Sequence, residues 1–359
     1  MKKAIFITSK FINGGVFQYS KSFLEALMLD DKNTITLFTL KENLSHFENV
    51  DIDIKTIKYS KFIITWHLIK FIFKSKVVLP NYDYLYFPSY SSYMLLFKNK
   101  FIVTIHDLQE IHFPENFNFI VKLWRKFINE YISKNSFKII CEANHVKNDI
   151  NNILNISKSK IHVIQAPPCF KETKNYTSKI EELLPKKYIF YPAQFWKHKN
   201  HINLLKAFKY SNFKKNNLHI VLTGRKDKEY HILKKYIDEN GLSANILHIP
   251  FIEEEDIPIV YEKSIALFMP SYYESISIPI YEAFKYNTLV CCSNFPSLLE
   301  QAKNSAIFFN PHIAEDIKKC INTITSPAFN RNYFINNGIE IIEGLNMNSF
   351  GKKISKLIE

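Results

Sequence analysis

Residues 270–283 read Pro-Ser-Tyr-Tyr-Glu-Ser-Ile-Ser-Ile-Pro-Ile-Tyr-Glu-Ala and place two carboxylates, Glu274 and Glu282, around the expected start of a helix. Pro279 suits a first helical turn, and Ser277 suits the N-cap before it. Glu274 then lies in the preceding loop and Glu282 early in the helix. A strand end, two acids and the amides of Ser275, Ile276, Ser277 and Ile278 would converge on one spot. Carboxylates accept hydrogen bonds from vicinal hydroxyls, while amides at a helix start hold phosphate. The combination suits a sugar nucleotide. A capped helix with surface acids answers to the same pattern.

Three further groups could share that chemistry. Phe195-Trp196-Lys197-His198-Lys199-Asn200 sets Lys197 and Lys199 just before a helical pattern. There, ammonium groups and helix amides would neutralise a diphosphate; a solvated basic loop is the plainer alternative. Gly14-Gly15 follows the first apolar strand and opens the first helix, where small residues let amides approach an anion. It is not GxGxxG, so no dinucleotide cofactor is indicated. His106, in Thr104-Ile105-His106-Asp107, ends a buried strand and could bond a sugar or stabilise developing charge. A structural histidine is the alternative.

These residues need a frame. Ala4–Thr8, Thr34–Phe38, Tyr84–Phe87, Phe101–Ile105, Lys138–Cys141 and Ile161–Ile164 read as short buried strands. Tyr188–Tyr191, His219–Thr223, Asn245–Ile249, Ala266–Met269, Leu289–Cys292 and Ala306–Phe309 repeat the plan. Helices are expected at Asn200–Tyr210, Lys228–Asn240, Glu253–Glu262, Ile278–Phe284 and Ile313–Ser326, with two more at Asn330–Glu343 and Asn348–Leu357. Alternating strand and helix implies parallel sheets covered on both faces. The expected fold class is α/β, with two Rossmann-like domains facing across a central cleft. The first spans residues 1–168, a linker 169–187, the second 188–340. A C-terminal helix, 341–359, is expected to return to the first domain.

The chain has 359 residues and a formal net charge of +13. Residues 1–180 hold 25 Lys and Arg against 15 Asp and Glu, so most of the excess lies in the first half. Nucleic acid, anionic lipid and phosphorylated small molecules could each explain it. No helix-turn-helix, zinc or RNP pattern supports nucleic acid. No apolar run reaches the roughly 18 residues needed to cross a bilayer, and the N-terminus lacks a signal peptide's apolar core and cleavage site. The five cysteines include no CxxC pair and read as reduced thiols in a cytoplasm. Lys55–Lys76 has six lysines among large apolar residues and no acid. It reads either as an interfacial helix on an anionic membrane or as a core helix with a lysine rim.

In sequence, these motifs resemble the retaining GT-B glycosyltransferases of family GT4 over about residues 3–355. Glu274 and Glu282 match its E-x7-E signature. Gly14-Gly15, His106-Asp107, the His198-Lys199-Asn200 loop and Leu289–Cys292 followed by Ser293-Asn294 match in order. The resemblance implies transfer of a sugar from a nucleoside diphosphate to a glycan or lipid-linked acceptor, with retention. The setting it implies is bacterial surface polysaccharide assembly: O-antigen, capsule or lipopolysaccharide. It makes Glu282 the ligand of the ribose hydroxyls and Glu274 that of the transferred sugar. Lys199, Lys197, Asn200 and the amides at Ser275–Ile278 would hold the diphosphate, Gly14 and Gly15 would approach the same phosphates, and His106 would sit near the reacting carbon. His106, Glu274 and Lys199 are the expected catalytic residues. No cofactor and no metal are expected.

Two departures stand out. The family usually has glycines where this chain has Ser275 and Ser277, and an arginine upstream of the lysine is missing, with Gln194 or Lys197 in that neighbourhood. A left-handed backbone at 275 or 277 would tax serine, leaving a catalytically weak scaffold as the alternative function. Asp51-Ile52-Asp53 is a DxD pair of the metal-binding kind, but is expected beside a strand far from the other motifs.

Overall fold

The computed structural model describes residues 2–10, 14–30, 34–168 and 179–358. The chain divides into two compact units, residues 1–169 with 345–359, and residues 170–344.

In the first unit, β1 (Lys2–Ile7), β2 (Thr34–Leu40), β3 (Asp53–Ile57), β4 (Tyr84–Phe87), β5 (Lys100–Thr104), β6 (Lys138–Cys141) and β7 (Ile161–Val163) form a parallel sheet in the order 3-2-1-4-5-6-7. Its helices are α1 (Gly15–Met28), α2 (Lys61–Ile72), α3 (Gln109–His112), α4 (Phe119–Asn135) and α5 (Asn144–Leu154). Along β1, Ala4 and Phe6 enter one core while Ile5 and Ile7 enter the other. From Ala4 to Ile7 the strand is apolar because helices cover both faces.

The second unit repeats the design. Strands β8 (Tyr188–Pro192), β9 (His219–Thr223), β10 (Ile246–Ile249), β11 (Ala266–Met269), β12 (Val290–Ser293) and β13 (Ala306–Phe309) are parallel in the order 10-9-8-11-12-13. Its helices are α6 (Ile180–Leu183), α7 (His201–Lys209), α8 (Lys228–Glu239), α9 (Ile257–Lys263), α10 (Ile278–Lys285), α11 (Pro296–Ala302), α12 (Ala314–Ile324) and α13 (Arg331–Gly344). A last helix, α14 (Met347–Ser355), belongs to the first unit.

The two tail helices dock through glycines. A Cβ on Gly351 of α14 would lie 2.3 Å from the Ala26 carbonyl oxygen of α1. A Cβ on Gly338 of α13 would lie 2.4 Å from the Phe284 ring of α10. Only glycine permits either approach without displacement.

Several expectations are corrected. α9 begins four residues later than expected: Pro258 lies in its first turn, whereas a helix from Glu253 would have put the proline inside and pressed its ring on a carbonyl. The break in the tail falls after Gly344 rather than at 340, because α13 stays packed on α10. The expected linker is not wholly open. Cys169–Ser178 lie outside the described residues, but α6 follows, with Ile180 buried and Glu181 paired to Lys263 at 2.7 Å. Lys55–Lys76 is not one element: Lys55 lies in β3, and the helix starts at Lys61 after the Ser60 cap. Asp53 of the DxD pair sits at the start of edge strand β3, accepting a bond from Thr36 and facing Lys55 at 3.6 Å.

Strand order reverses between β1 and β4 in the first sheet, and between β8 and β11 in the second. Open parallel sheets bind ligands outside the carboxyl ends of strands at such a reversal. The segments after β8 and β11 hold Lys199 and Glu274.

Candidate active site

β8 leads into a short 3-10 turn, Lys197–Lys199, and then α7. The turn is fixed from below. Tyr191 donates from its hydroxyl to the Lys199 carbonyl at 2.6 Å, and the Tyr272 amide donates to the His198 carbonyl at 2.8 Å. Asn200 ends the turn in the left-handed region, φ 58°, a conformation asparagine tolerates better than most residues. Its side-chain amide donates to the carbonyls of Pro270, at 2.9 Å, and Pro311, at 2.8 Å. One buried side chain therefore ties together the loops that follow β8, β11 and β13.

Asn200 was expected at the donor, and here its side-chain amide bonds within the unit instead. Its side chain faces inward and sets the position of Lys199. Asn200→Ala is expected to lower stability by about 2–3 kcal/mol, from two lost hydrogen bonds and a left-handed alanine. Asn200→Gly keeps the backbone free and should lose less. Urea denaturation of both variants checks the order.

The same turn points Lys199 across to the β11 loop, where its Nζ lies 2.6 Å from Oε1 of Glu274. Glu274 is buried, and Lys199 nearly so. His198 and His201 flank the pair, both pushed down to about 3 by burial and then by the Lys199 charge. They are neutral at ordinary pH, so neither histidine adds charge beside Lys199. Lys197 is exposed, with its Nζ 4.0 Å from Glu229.

Glu274 is followed by Ser275-Ile276-Ser277 and α10. Pro279 occupies the first turn of α10, and Ser277 is its N-cap by position, with an extended backbone and no capping bond from its hydroxyl. The expected strain at the two serines is absent: neither Ser275 nor Ser277 is among the described residues with positive φ. Glycine's freedom is not needed there, which removes the reason for reading the chain as a weakened scaffold.

The expected row of amides is shorter by one. The Ser277 amide donates to Oε1 of Gln301 at 2.9 Å, and Gln301 donates back to the Ser277 carbonyl at 2.7 Å. Among the described hydrogen bonds, the amides of Ser275, Ile276 and Ile278 have no acceptor, and they lie beside the positive end of the helix, where an anion is favoured. Gln301 and Ser297, whose hydroxyl donates to the Glu274 carbonyl at 2.6 Å, lie on α11, a helix missing from the sequence reading.

Glu282 lies in the second turn of α10 and is half-buried. The Tyr261 hydroxyl donates to its Oε2 at 2.6 Å. Burial raises the carboxyl above its usual range, and the Tyr261 bond offsets part of the rise. Tyr261 thus fixes one carboxylate oxygen.

In the first unit, Gly14 caps α1 in an extended conformation and Gly15 is its exposed first residue. His106 follows β5. Its Nδ1 lies 3.0 Å from Glu142 and its Nε2 2.9 Å from the Pro88 carbonyl. Burial alone would lower the imidazole, but the Glu142 bond and charge overcome it and the net shift is upward. Through these two contacts His106 bridges the ends of β4, β5 and β6. His106 was expected near the reacting carbon, and in this structure both of its ring nitrogens have partners within the unit.

Comparison with known proteins decides the family. Residues 173–341 match the family described as glycosyl transferases group 1. The second unit belongs to that family, and the chain is a glycosyltransferase. Over 329 residues the enzyme is 24% identical to the O-antigen chain mannosyltransferase RfbU of Salmonella typhimurium, covering 86% of this chain and 87% of that protein. It is 26% identical over 98 residues to O-antigen chain mannosyltransferase B of Escherichia coli, 27% of this chain and 26% of that one. Among solved structures, Anabaena Alr3699/HepE in complex with UDP and glucose aligns with a TM-score of 0.77 at 14% identity, covering 100% of this chain and 99% of the other. That likeness shows the GT-B fold. Among the described residues, no helix of the glycosyltransferase is long and apolar enough to cross a membrane.

Proposed function

We propose that this glycosyltransferase moves a sugar from a nucleoside diphosphate to a growing glycan or lipid-linked acceptor in bacterial surface polysaccharide assembly. The observation that carries the reading is the Lys199–Glu274 pair at the start of α10, at the strand-order reversal of the second unit. The names of the two curated relatives favour O-antigen and put mannose first among the sugars.

The donor would replace one interaction with two. Lys199 turns from Glu274 to the diphosphate, joined by the amides of Ser275, Ile276 and Ile278. Glu274, released, accepts bonds from sugar hydroxyls. Glu282, oriented by Tyr261, accepts from the ribose. The acceptor hydroxyl attacks the anomeric carbon from the face the diphosphate leaves, which gives retention. The bond from that carbon to the phosphate oxygen breaks, the new glycosidic bond forms, and the departing phosphate takes the acceptor's proton. Charge builds on the leaving phosphate, where Lys199 and the helix start stand ready. On this reading no metal is needed, and turnover should be unchanged by EDTA.

Melting curves with UDP, GDP, dTDP and their sugars test the reading, because a ligand selective for the folded chain raises the midpoint. One nucleotide series should stabilise the protein, and its sugar should be transferred with the same anomeric configuration. Indifference to all three would sink the proposal.

The acceptor side is read from α2. Phe62, Trp66, Ile69, Ile72 and Phe73 are exposed, while His67 and Phe71 face the core. With Lys58, Lys61, Lys70 and Lys74 nearby, this face suits an anionic membrane on the cytoplasmic side. Sedimentation with anionic vesicles should exceed that with neutral ones; equal binding, or none, counts against it.

A further inference from the structure

The loop between β11 and α10 has a supporting frame of its own. It is buried at Glu274 and Ser277, and it belongs to neither a strand nor a helix that could pair its backbone. Buried backbone groups of this kind need partners from elsewhere. The β8 turn supplies them at the Pro270 and Tyr272 end. At the Glu274–Ser277 end one helix supplies most of them, joined by the Ile280 amide, which donates to the Ser277 carbonyl at 3.1 Å. Ser297 and Gln301 are four residues apart on α11, so they share a face. Ser297 holds the Glu274 carbonyl at 2.6 Å, and Gln301 holds both the amide and the carbonyl of Ser277 at 2.9 and 2.7 Å. Both side chains are almost fully buried. The two ends of the Glu274–Ser277 turn are thereby fixed from a single helix by three hydrogen bonds.

The chemistry of the clamp matters as much as its geometry. Gln301 is a neutral residue whose amide both accepts from an N–H and donates to a carbonyl at one position. A carboxylate there could accept from the Ser277 amide but would face the Ser277 carbonyl with a second acceptor. It would also set a negative charge against the helix start that favours an anion. Leucine has nearly the same size but can satisfy neither group.

We infer that Gln301 and Ser297 are positioning residues that hold the Ser275, Ile276 and Ile278 amides in the arrangement that receives the donor's diphosphate. This rests on the donor site proposed above. The clamp does the work that backbone choice alone would leave undone at Ser275 and Ser277, neither of which has a left-handed backbone. It touches no substrate; its effect runs through the loop.

The test compares affinities for a nucleoside diphosphate and the matching monophosphate, measured calorimetrically on wild type, Gln301→Leu, Gln301→Glu and Ser297→Ala. The base is the one that stabilises the wild-type chain. Gln301→Leu should narrow the diphosphate-to-monophosphate ratio by about tenfold, the scale of one to two lost hydrogen bonds, and Gln301→Glu should narrow it further. A merely structural role would lower the melting point and the active fraction while leaving that ratio alone. An unchanged ratio in folded Gln301→Leu overturns the inference. Should that variant fail to fold, Ser297→Ala reads the same ratio from the Glu274 end, and no change there is equally decisive. Wild-type protein that binds no nucleoside diphosphate removes the donor site itself, and this inference with it.

Discussion

Replacing Lys199 with methionine is expected to cut turnover by about 10²–10³-fold, the usual cost of losing one preorganised group that meets developing charge. The geometry adds a second effect. Glu274 is buried and its Oε1 lies 2.6 Å from the lysine, so the variant strands a carboxylate. Breaking a buried pair from one side costs about 3–5 kcal/mol, and the lower end applies because Lys199 keeps some contact with water. The double variant Lys199→Met with Glu274→Gln removes both charges. It should recover most of the stability and none of the activity. Steady-state rates and urea denaturation on the same preparations separate the two losses. Recovery of turnover in the double variant would show that Lys199 acts on Glu274 alone.

Glu282→Gln should raise the donor KM by about ten- to a hundredfold, the range for hydrogen bonds to a charged group, with a smaller effect on kcat. The amide can still accept from Tyr261, but it carries no charge and presents one acceptor oxygen in place of two. The pH profile adds a sign. Burial raises the Glu282 carboxyl, with Tyr261 offsetting part of it. Donor affinity should therefore fall as pH drops through that raised value, and the acid limb should flatten in Glu282→Gln. For stability the direction is opposite. The folded chain holds this proton more tightly than the unfolded chain, so Glu282 costs stability as pH climbs from the ordinary carboxyl value past the raised one. A wild-type profile with no acid limb in donor KM contradicts the assignment.

What the sequence made legible follows from local physics. Runs such as Ala4–Ile7 and Ala266–Met269 are apolar on both faces because each sheet is covered twice. Pro279 marked the first turn of α10, and the basic turn before α7 marked Lys199. Pro258 carried the same kind of signal and limits α9 to a later start. Contacts between distant residues were hidden. His106 meets Glu142 and the Pro88 carbonyl, 36 and 18 residues away. Asn200 reaches Pro311 across 111 residues. The family resemblance implied a ligand contact for it, yet its left-handed backbone turns it inward. α11 escaped notice because seven residues give little periodicity, although Pro296 at its start was a readable mark. With it went Gln301, a surface-type residue that is buried because Ser277 needs both of its ends.

A crystal structure of the glycosyltransferase with its nucleoside diphosphate sugar tests the central claim most directly. The account predicts the diphosphate within hydrogen-bonding distance of Lys199 Nζ and of the amides of Ser275, Ile276 and Ile278. It also predicts sugar hydroxyls on Glu274 and ribose hydroxyls on Glu282. A donor seated away from these residues, with Lys199 still held by Glu274, would contradict it.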